Sequence, residues 1–341
     1  MRAAAGVRFP SAPATSSAGE TPESDADGYR VERYTPAGAS EWDAFVRSSR
    51  NGTFLFERAF MDHHATRFED GSLMVRDAQA RLVALLPANR QSDGLHSHGG
   101  LTYGGLVFGS PGRTLDATAI LAAVARHLRA SGIDCLHYKT VPAIYHRLPA
   151  EEDRLALFEA GASLVARQVL SVVPREGRAR WQSRRRRGAA AAGKAGIEIG
   201  ETHDLGAFWD LLCEVLRQRH HAAPVHSLAE MAWLRERFPA RIRLFVATKS
   251  GDMLAGVLVF ETDRVARAQY ICANEAGRQL GALDALFARL LEHTFADKPW
   301  FDFGSSHAVD GQSLNAGLVT QKEGFGARTV VHDHYLLRVP P

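Results

Sequence analysis

The feature that most constrains the fold is a repeat, because one order of predicted helices and strands occurs twice along the chain. From Tyr29 to Val173, hydrophobic periodicity and turn residues predict the order β-α-α-β-β-β-α-β-α-β. The same order is predicted again from Gly196 to Val339. Repetition of a ten-element order indicates an internal duplication.

Short matches in the two predicted hairpins support the duplication. Leu73 corresponds to Leu244 and Leu82 to Met253, both at an offset of 171 residues (244 − 73 and 253 − 82). Near the ends of the two copies, Glu159 corresponds to Lys322 at an offset of 163 (322 − 159). We therefore expect an α/β protein with mixed sheets, built from two tandem domains of one fold.

The predicted domain boundaries follow from this repeat. The first domain covers 29–174 and the second covers 196–341, joined by a basic linker or helical arm at 175–195. Residues 1–28 are rich in Ala, Ser, Pro and Gly and lack the apolar stretch of a secretory signal, so we expect a disordered tail.

Composition narrows the class of protein. The 341 residues are 45% hydrophobic, which is enough for two cores, and the net charge of +3 does not suit a DNA-coating protein. The three cysteines lie far apart, as buried thiols of a reducing compartment do, and no apolar run reaches the ~20 residues of a membrane span. We expect a cytoplasmic protein without a transmembrane segment; peripheral membrane contact and oligomeric state stay open.

A strand–loop–helix segment in the second half carries the clearest chemical signal. The segment 274–281 ends in Arg-x-x-Gly, with Arg278 and Gly281 leading into a predicted helix. Backbone N–H groups at a helix start attract a pyrophosphate. The segment resembles the acetyl-CoA loop of GNAT N-acetyltransferases, Gln/Arg-x-x-Gly-x-Gly/Ala, although Leu283 replaces the final small residue.

The last predicted helix, which carries Asn315 and runs into Gly324, is also similar to the end of GNAT enzymes. Thr320 stands where many of those enzymes have a catalytic tyrosine.

The resemblance extends over both halves and is sharpest to Fem-type and polysaccharide-cluster tandem GNAT proteins. The stretches that carry it are 51–55, 67–68, 97–105, 219–220 with 224–227, 301–306 and 321–326. It implies transfer of an acyl group from acyl-CoA to an amine of a cell-envelope precursor, in polysaccharide or peptidoglycan biosynthesis. The acceptor is an amino sugar, a sugar nucleotide or a peptide. Two alternatives remain: a Fem-type transferase that uses aminoacyl-tRNA, and a non-catalytic GNAT scaffold that binds a partner.

Amine acylation needs a base for the ammonium proton and a donor that stabilises the carbonyl oxygen. The catalytic candidates are His98, Tyr103, His220, His226, Asp302 and Glu323. The candidates for binding the acyl donor are Gln269, Tyr270, Arg278, Gly281 and Asn315. The candidates for binding substrate are Asn51, Arg67, Ser97, Ser305, Lys322, Arg184 and Arg185. No metal site is predicted, because the adjacent His63 and His64 point apart on a helix.

Several of these residues have an equally good structural interpretation. His220 suits the C-terminal end of a helix, and Asp302 on a core strand suits a buried ion pair. Glu323 and Lys322 fit the polar face of the last helix, and the arginine run 184–187 fits either a solvated linker or a clamp for phosphates, tRNA included.

Two spatial expectations follow. The donor pocket should lie in the second half, between the strand of Gln269 and Tyr270 and the strand 301–303. The acceptor should lie between the halves, with His98 and Tyr103 facing His220, His226 and Asp302 across one cleft.

Overall fold

The computed structural model describes residues 28–65, 67–307 and 313–339; apart from Gly28, the predicted tail lies outside these residues. The first-half strands are β1 (Tyr29–Arg33), β2 (Glu69–Asp70), β3 (Leu73–Asp77), β4 (Leu82–Leu86), β5 (Asn89–Gln91), β6 (Gly94–His96), β7 (Val107–Phe108), β8 (Cys135–Lys139) and β9 (Ser163–Pro174). Those of the second half are β10 (Glu198–Glu201), β11 (Ile242–Lys249), β12 (Asp252–Glu261), β13 (Val265–Ala273), β14 (Trp300–Ser305) and β15 (Arg328–Arg338).

Ten α-helices accompany these strands in the described part of the chain. They are α1 (Ala39–Ser48), α2 (Arg58–Met61), α3 (Thr114–Ala130), α4 (Glu152–Glu159), α5 (Ser183–Lys194), α6 (Leu205–His220), α7 (Leu228–Arg237), α8 (Glu275–Gln279), α9 (Ala282–Arg289) and α10 (Ala316–Glu323). A π-helical turn, Leu290–Thr294, continues α9. The α/β class with mixed sheets is confirmed.

The two predicted hairpins occupy equivalent places. Leu73 lies at the start of β3, which pairs antiparallel with β1 and β4. Leu244 lies near the start of β11, which pairs antiparallel with β10 and β12. Each strand also has a register shift late in its hairpin, after Val75 in the first half and after Ala247 in the second. The match of partners and irregularities is what a duplication produces.

The halves differ at the third strand of the meander. In the second half β13 is continuous, pairing antiparallel with β12 and, over Val265–Arg267, parallel with β14. In the first half this strand is broken: β6 pairs parallel with β8, and β7 pairs antiparallel with β4. The sequence predicts this strand of the first half as one glycine-rich segment over 101–108. That prediction is wrong except at the last two residues, because the segment 97–106 leaves the sheet as a loop.

The last strand of each half lies in the sheet of the other half. β9 lies between β14 and β15, and β15 lies between β9 and β8. The resulting eleven-stranded sheet has the order β10-β11-β12-β13-β14-β9-β15-β8-β6-β5-β2, beside a four-stranded sheet β1-β3-β4-β7. The exchange joins the halves through backbone hydrogen bonds, so neither half closes its sheet alone.

The linker forms a helix that packs on the second half. Alanine-rich α5 crosses the start of α9, where a Cβ on Gly281 would lie 2.4 Å from the Gly188 carbonyl oxygen. Gly281 has φ +74°, a left-handed conformation that favours glycine. Glycine at both crossing positions therefore allows the two backbones to touch.

Candidate functional site

A cavity of about 610 Å³ lies where β13 and β14 part. The two strands are paired only as far as Arg267 and Asp302, and beyond this point β13 continues to Ala273 while β14 diverges. Ile271, Cys272 and Ala273 line one wall, and Phe303 lies opposite. This cavity lies at the position predicted for the acyl donor, and it is called the donor cavity below.

Basic side chains dominate the charged lining. Five cationic residues face one carboxylate, that of Asp284; the five are Arg184, Arg185, Arg219, Arg278 and Lys322. Arg185 is engaged in a salt bridge of 2.9 Å to Asp284, and its guanidinium lies 4.6 Å from the centre of the Phe325 ring. Arg185 thus fastens α5 to α9, whereas Arg184 is exposed on the same helix.

The start of α9 opens onto this cavity through Gly281 and Leu283. Asn274 caps the short helix α8 by accepting a hydrogen bond from Gly277 N at 2.8 Å, and Arg278 Nη1 donates to the Ala273 carbonyl at 2.7 Å. These contacts hold the loop between β13 and α9 in place. The first N–H groups of a helix have no intrahelical partner, so the start of α9 favours an anion.

Lys322 lies at the point where the strands part. Its Nζ donates to the carbonyl oxygens of Gly304 and Ser305, at 3.1 and 2.6 Å, and to Ser306 Oγ at 3.2 Å. Burial lowers the pKa of this ammonium group to about 8. Lys322 therefore places a titratable cation beside the end of β14.

Asp302 is fully buried and held by three donors. Its Oδ2 accepts from Arg267 Nη1 at 2.5 Å and from Tyr145 Oη at 2.6 Å, and its Oδ1 accepts from Gly304 N at 2.6 Å. A carboxylate so engaged is an anchor for its neighbours, as the buried ion-pair interpretation expects. Sequence reasoning missed Arg267 and Tyr145, since neither belongs to a motif.

Tyr103 reaches this anchor through Tyr145. The centres of the two tyrosine rings are 4.5 Å apart, and Tyr103 Oη donates to Thr53 Oγ1 at 3.0 Å. Burial raises the pKa of Tyr103. The structure therefore brings Tyr103 to the Asp302 anchor, with its hydroxyl directed to Thr53.

The rest of the loop 97–105 packs against β8. Ser97 Oγ accepts from Lys139 N at 2.7 Å, and Gly105, at φ +87°, lies against the Tyr138 ring. His98 is buried beside Phe68, with 6.0 Å between ring centres, and burial lowers its pKa to about 4. His98 lines a separate cavity of about 160 Å³, together with Lys139 and His334.

His226 and Arg67 meet at the boundary between the halves. His226 Nδ1 is 2.7 Å from Tyr270 Oη, and burial lowers the His226 pKa to about 4. Arg67 donates to the Val225 carbonyl at 3.2 Å and forms a 3.0 Å salt bridge with Glu230. Ile271, the next residue of β13, lines the donor cavity, whereas Tyr270 points to the other face of the sheet and, like His226, is not part of that lining.

The remaining predicted residues have local roles. Asn51 bonds both amide atoms to backbone, at Leu106 O and Phe108 N, and Asn315 caps α10. Gln269 Oε1 accepts from Arg267 at 3.4 Å, and Ser305 Oγ from His307 N at 3.2 Å.

Glu323 is exposed on α10 and is not part of the donor cavity lining, although its neighbour Lys322 is. The His220 side chain lies outside the described residues. The roles predicted for all these residues, and the shared cleft expected for His98 and His226, stay predictions.

Three further side chains, which sequence reasoning did not select, come together on the first half: Asp93, His96 and His137. Their ligand atoms lie within 4.8 Å of one another. Among the helices of the described ranges, none has the length and apolarity needed to cross a membrane.

Comparison with known proteins agrees with this architecture. Residues 175–309 match the family model described as an acetyltransferase (GNAT) domain. No curated protein matches the chain in sequence.

Three solved structures have a similar fold. The crystal structure of FemX superposes with a TM-score of 0.63 at 11% identity, covering 89% of this chain and 96% of FemX. L-PGS from Bacillus licheniformis has a TM-score of 0.57 at 11% identity, covering 91% and 94%. The C-terminal domain of a putative lysylphosphatidylglycerol synthetase from Agrobacterium fabrum has a TM-score of 0.57 at 10% identity, covering 90% and 93%. These likenesses span both halves and establish the fold.

Proposed function

We propose that this chain, a GNAT-fold acyltransferase, moves an acyl group from acyl-CoA to an amine of a cell-envelope precursor. The observation that carries the proposal is the cavity at the parting of β13 and β14, lined by five basic residues and one acidic residue. In this proposal the second half, 196–341, binds the donor, and the first half, 29–174, faces the acceptor.

The donor's phosphates would lie at the start of α9. Arg184, Arg219 and Arg278 surround that position from α5, α6 and α8. Guanidinium groups pair with phosphate oxygens through two parallel hydrogen bonds, and the helix start adds its own N–H groups. A pyrophosphate carrying several negative charges fits this lining better than a neutral ligand does.

The thioester would lie deeper, beside Lys322. The acceptor nitrogen attacks the carbonyl carbon, the C–N bond forms, and the C–S bond breaks; the proton that the nitrogen loses ends on the departing sulfur, which is released as the CoA thiol. Negative charge develops on the carbonyl oxygen during attack, and a cation held in a buried site stabilises it. Lys322 supplies that cation below its pKa of about 8.

The acceptor would approach from the boundary between the halves, where His226, Tyr270 and Arg67 meet. Because burial lowers the His226 pKa to about 4, its imidazole is neutral at pH 7 and able to accept a hydrogen bond from the acceptor amine, although it is too weak a base to keep the proton. The envelope class of acceptor is supported by the shared fold with FemX and with proteins named for lysylphosphatidylglycerol synthesis.

An aminoacyl-tRNA donor is the second candidate. One structure of this fold is named as a domain of a putative lysylphosphatidylglycerol synthetase, a name that supports an aminoacyl donor for this fold. The exposed arginines of α5 beside the cavity would contact an RNA backbone. Binding of tRNA through phosphates falls steeply with salt, so retention of tRNA at low salt and its loss at moderate salt would favour this donor.

Release of free thiol from acetyl-CoA, with amino sugars and peptides as acceptors, tests the proposal. We expect Arg219→Ala to raise the donor KM with little change in kcat, because the phosphate contact exists in both ground and transition states. Arg217→Ala is the matched control, since Arg217 is exposed on the same helix and is not part of the cavity lining. Equal donor KM values for the two variants would place the donor elsewhere.

A further inference from the structure

The cluster of Asp93, His96 and His137 lies at an edge of the first-half sheet. His96 on β6 and His137 on β8 are register partners in the parallel pair, so their side chains leave the same face of the sheet. The two imidazole rings stack with centres 4.1 Å apart and planes 8° apart. Backbone pairing, together with stacking, therefore fixes the two rings side by side.

Asp93 is directed at both rings from the turn between β5 and β6. His96 Nε2 lies 2.8 Å from Asp93 Oδ1, and His137 Nε2 lies 3.3 Å from Asp93 Oδ2. The turn itself is seated on β8, because a Cβ on Gly94, at φ +134°, would lie 2.5 Å from the Cys135 carbonyl oxygen. The carboxylate thus faces two imidazole nitrogens from a turn in contact with the strand that carries one of them.

Two imidazoles and a carboxylate are a donor set that divalent transition metals use. Zn²⁺ binds His nitrogen and Asp oxygen at about 2.0–2.2 Å, which places tetrahedral ligands about 3.3 Å apart. The three ligand atoms lie within 4.8 Å of one another, and the side chains are 20%, 33% and 58% exposed for His96, His137 and Asp93. For both Nε2 lone pairs to point at one ion, the parallel ring planes must tilt towards each other, and the partial exposure of the side chains leaves them free to turn.

The same register position of the second half holds a charge pair. Leu95 and Ala266 are equivalent, at the offset of 171 (266 − 95), and the next register pair is His96–His137 in one half and Arg267–Asp302 in the other. In the second half, a guanidinium supplies the positive charge opposite the carboxylate. In the first half, two imidazoles and a carboxylate occupy the corresponding place, where a bound cation would face the carboxylate as the guanidinium does in the second half.

We propose that Asp93, His96 and His137 bind one divalent transition-metal ion, with Zn²⁺ as the favoured ion, and so fasten the β5–β6 turn to β8. The remaining coordination positions face solvent and the adjoining cavity of about 160 Å³, which His96 and His137 also line. The proposal is independent of the acyl-transfer chemistry of the second half.

Calorimetric titration of Zn²⁺ into full-length protein, stripped of metal and free of any polyhistidine tag, tests the site. We expect one equivalent to bind tightly, and His96→Ala and His137→Ala each to weaken it more than about 10-fold, since even outer-shell changes cost 10- to 100-fold. Asp93→Asn keeps the shape of the turn residue and should also weaken binding. His203→Ala removes another exposed histidine and should leave binding unchanged.

Melting temperature gives a second readout that does not depend on activity. Zn²⁺ should raise the Tm of the wild-type protein, and it should not raise that of Asp93→Asn, because only a ligand of the folded state stabilises it. With chelator present, the two proteins should melt alike. Absence of saturable Zn²⁺ binding by the folded wild type, or wild-type affinity in all three ligand variants, would overturn the proposal.

Discussion

The two halves differ at the point where their paired parallel strands separate: the second half has an open cavity there, and the first half has a packed loop. In the second half β13 runs unbroken past the parting, and a cavity of about 610 Å³ remains between it and β14. In the first half the corresponding strand is interrupted, and the loop 97–106 packs into the gap, with Ser97, His98 and Tyr103 buried. The loop is six residues longer than the segment 268–271 that joins the equivalent positions in β13. One insertion thus separates an open cleft from a filled one.

The net charge of the cavity lining also differs between the halves, beside the start of α3 in the first half and the start of α9 in the second. The first-half cavity at the start of α3 has about 660 Å³, and its basic residues Arg81 and Arg113 are each in a salt bridge, with Asp77 and Asp116. The donor cavity is lined by five basic residues and one acidic residue, with Arg185 paired to Asp284 and Arg278 to Glu275, which is outside the lining. The two cavities have similar volumes and different net charge, so charge rather than size is what supports our proposal that the second half binds the phosphate-bearing donor.

The largest expected contrast concerns one carboxylate at each of the two equivalent register pairs: Asp302 belongs to its pair, whereas Asp93 contacts the His96–His137 pair from a turn. Asp302→Ala leaves the mostly buried Arg267 guanidinium, 14% exposed, without its partner, which costs about 3–5 kcal/mol of unfolding free energy. Asp93→Ala in the first half should change the unfolding free energy little, because that carboxylate is exposed. Urea unfolding of both variants with metal removed measures the difference, and equal losses would break the comparison.

A smaller contrast in unfolding free energy is expected at two glycines, Gly281 before α9 and Gly132 after α3. Gly281→Ala should cost about 2 kcal/mol or more, because left-handed strain adds to the clash with Gly188. Gly132→Ala, after α3, has φ +67° with open space around it, so only the strain of about 1 kcal/mol remains. Thermal unfolding ranks the two; a ranking in the reverse order would show that α5 does not press on α9.

The smallest expected effect is on the pH dependence of the unfolding free energy, to which we expect one buried lysine of each half to contribute equally. Burial lowers the pKa of Lys139 and of Lys322 from 10.5 to about 8, so between these values the unfolded chain holds protons that the folded protein lacks. Stability should therefore rise with pH across this window. Lys139→Met and Lys322→Met should each flatten the rise. Unfolding curves at several pH values check it, and an unchanged slope in either variant would remove that lysine from the account.

Much of the frame was predictable from sequence because periodicity and turn residues act locally. Periodicity predicts a helix over 114–130 and a strand over 328–338, which are the observed bounds of α3 and β15. The offset of 171 relates β4 to β12, whereas β3 and β11 match in register at 172 (247 − 75). The broken strand was not predicted, since the apolar residues Leu101 and Leu106 fit a strand as well as a buried loop.

The site was harder to predict because its residues meet through register. Arg267 and Asp302 are 35 positions apart, and His96 and His137 are 41 apart. Parallel pairing brings each of these couples together, and sequence spacing carries no sign of it. Arg267 belongs to no sequence motif. Only the repeat, which relates Arg267 to His96 at the offset of 171, could have drawn attention to both positions.

The central claim is that the second half alone holds the acyl donor, and CoA binding to two matched double variants tests it most directly. Arg184→Ala/Arg278→Ala removes two cations from the donor cavity, and Arg81→Ala/Arg113→Ala removes two from the first-half cavity. Calorimetry should show CoA affinity reduced about 100-fold in the former, near 1.4 kcal/mol for each lost contact, and unchanged in the latter. Loss of CoA affinity in the first-half variant, with full affinity in the second-half variant, would contradict the account.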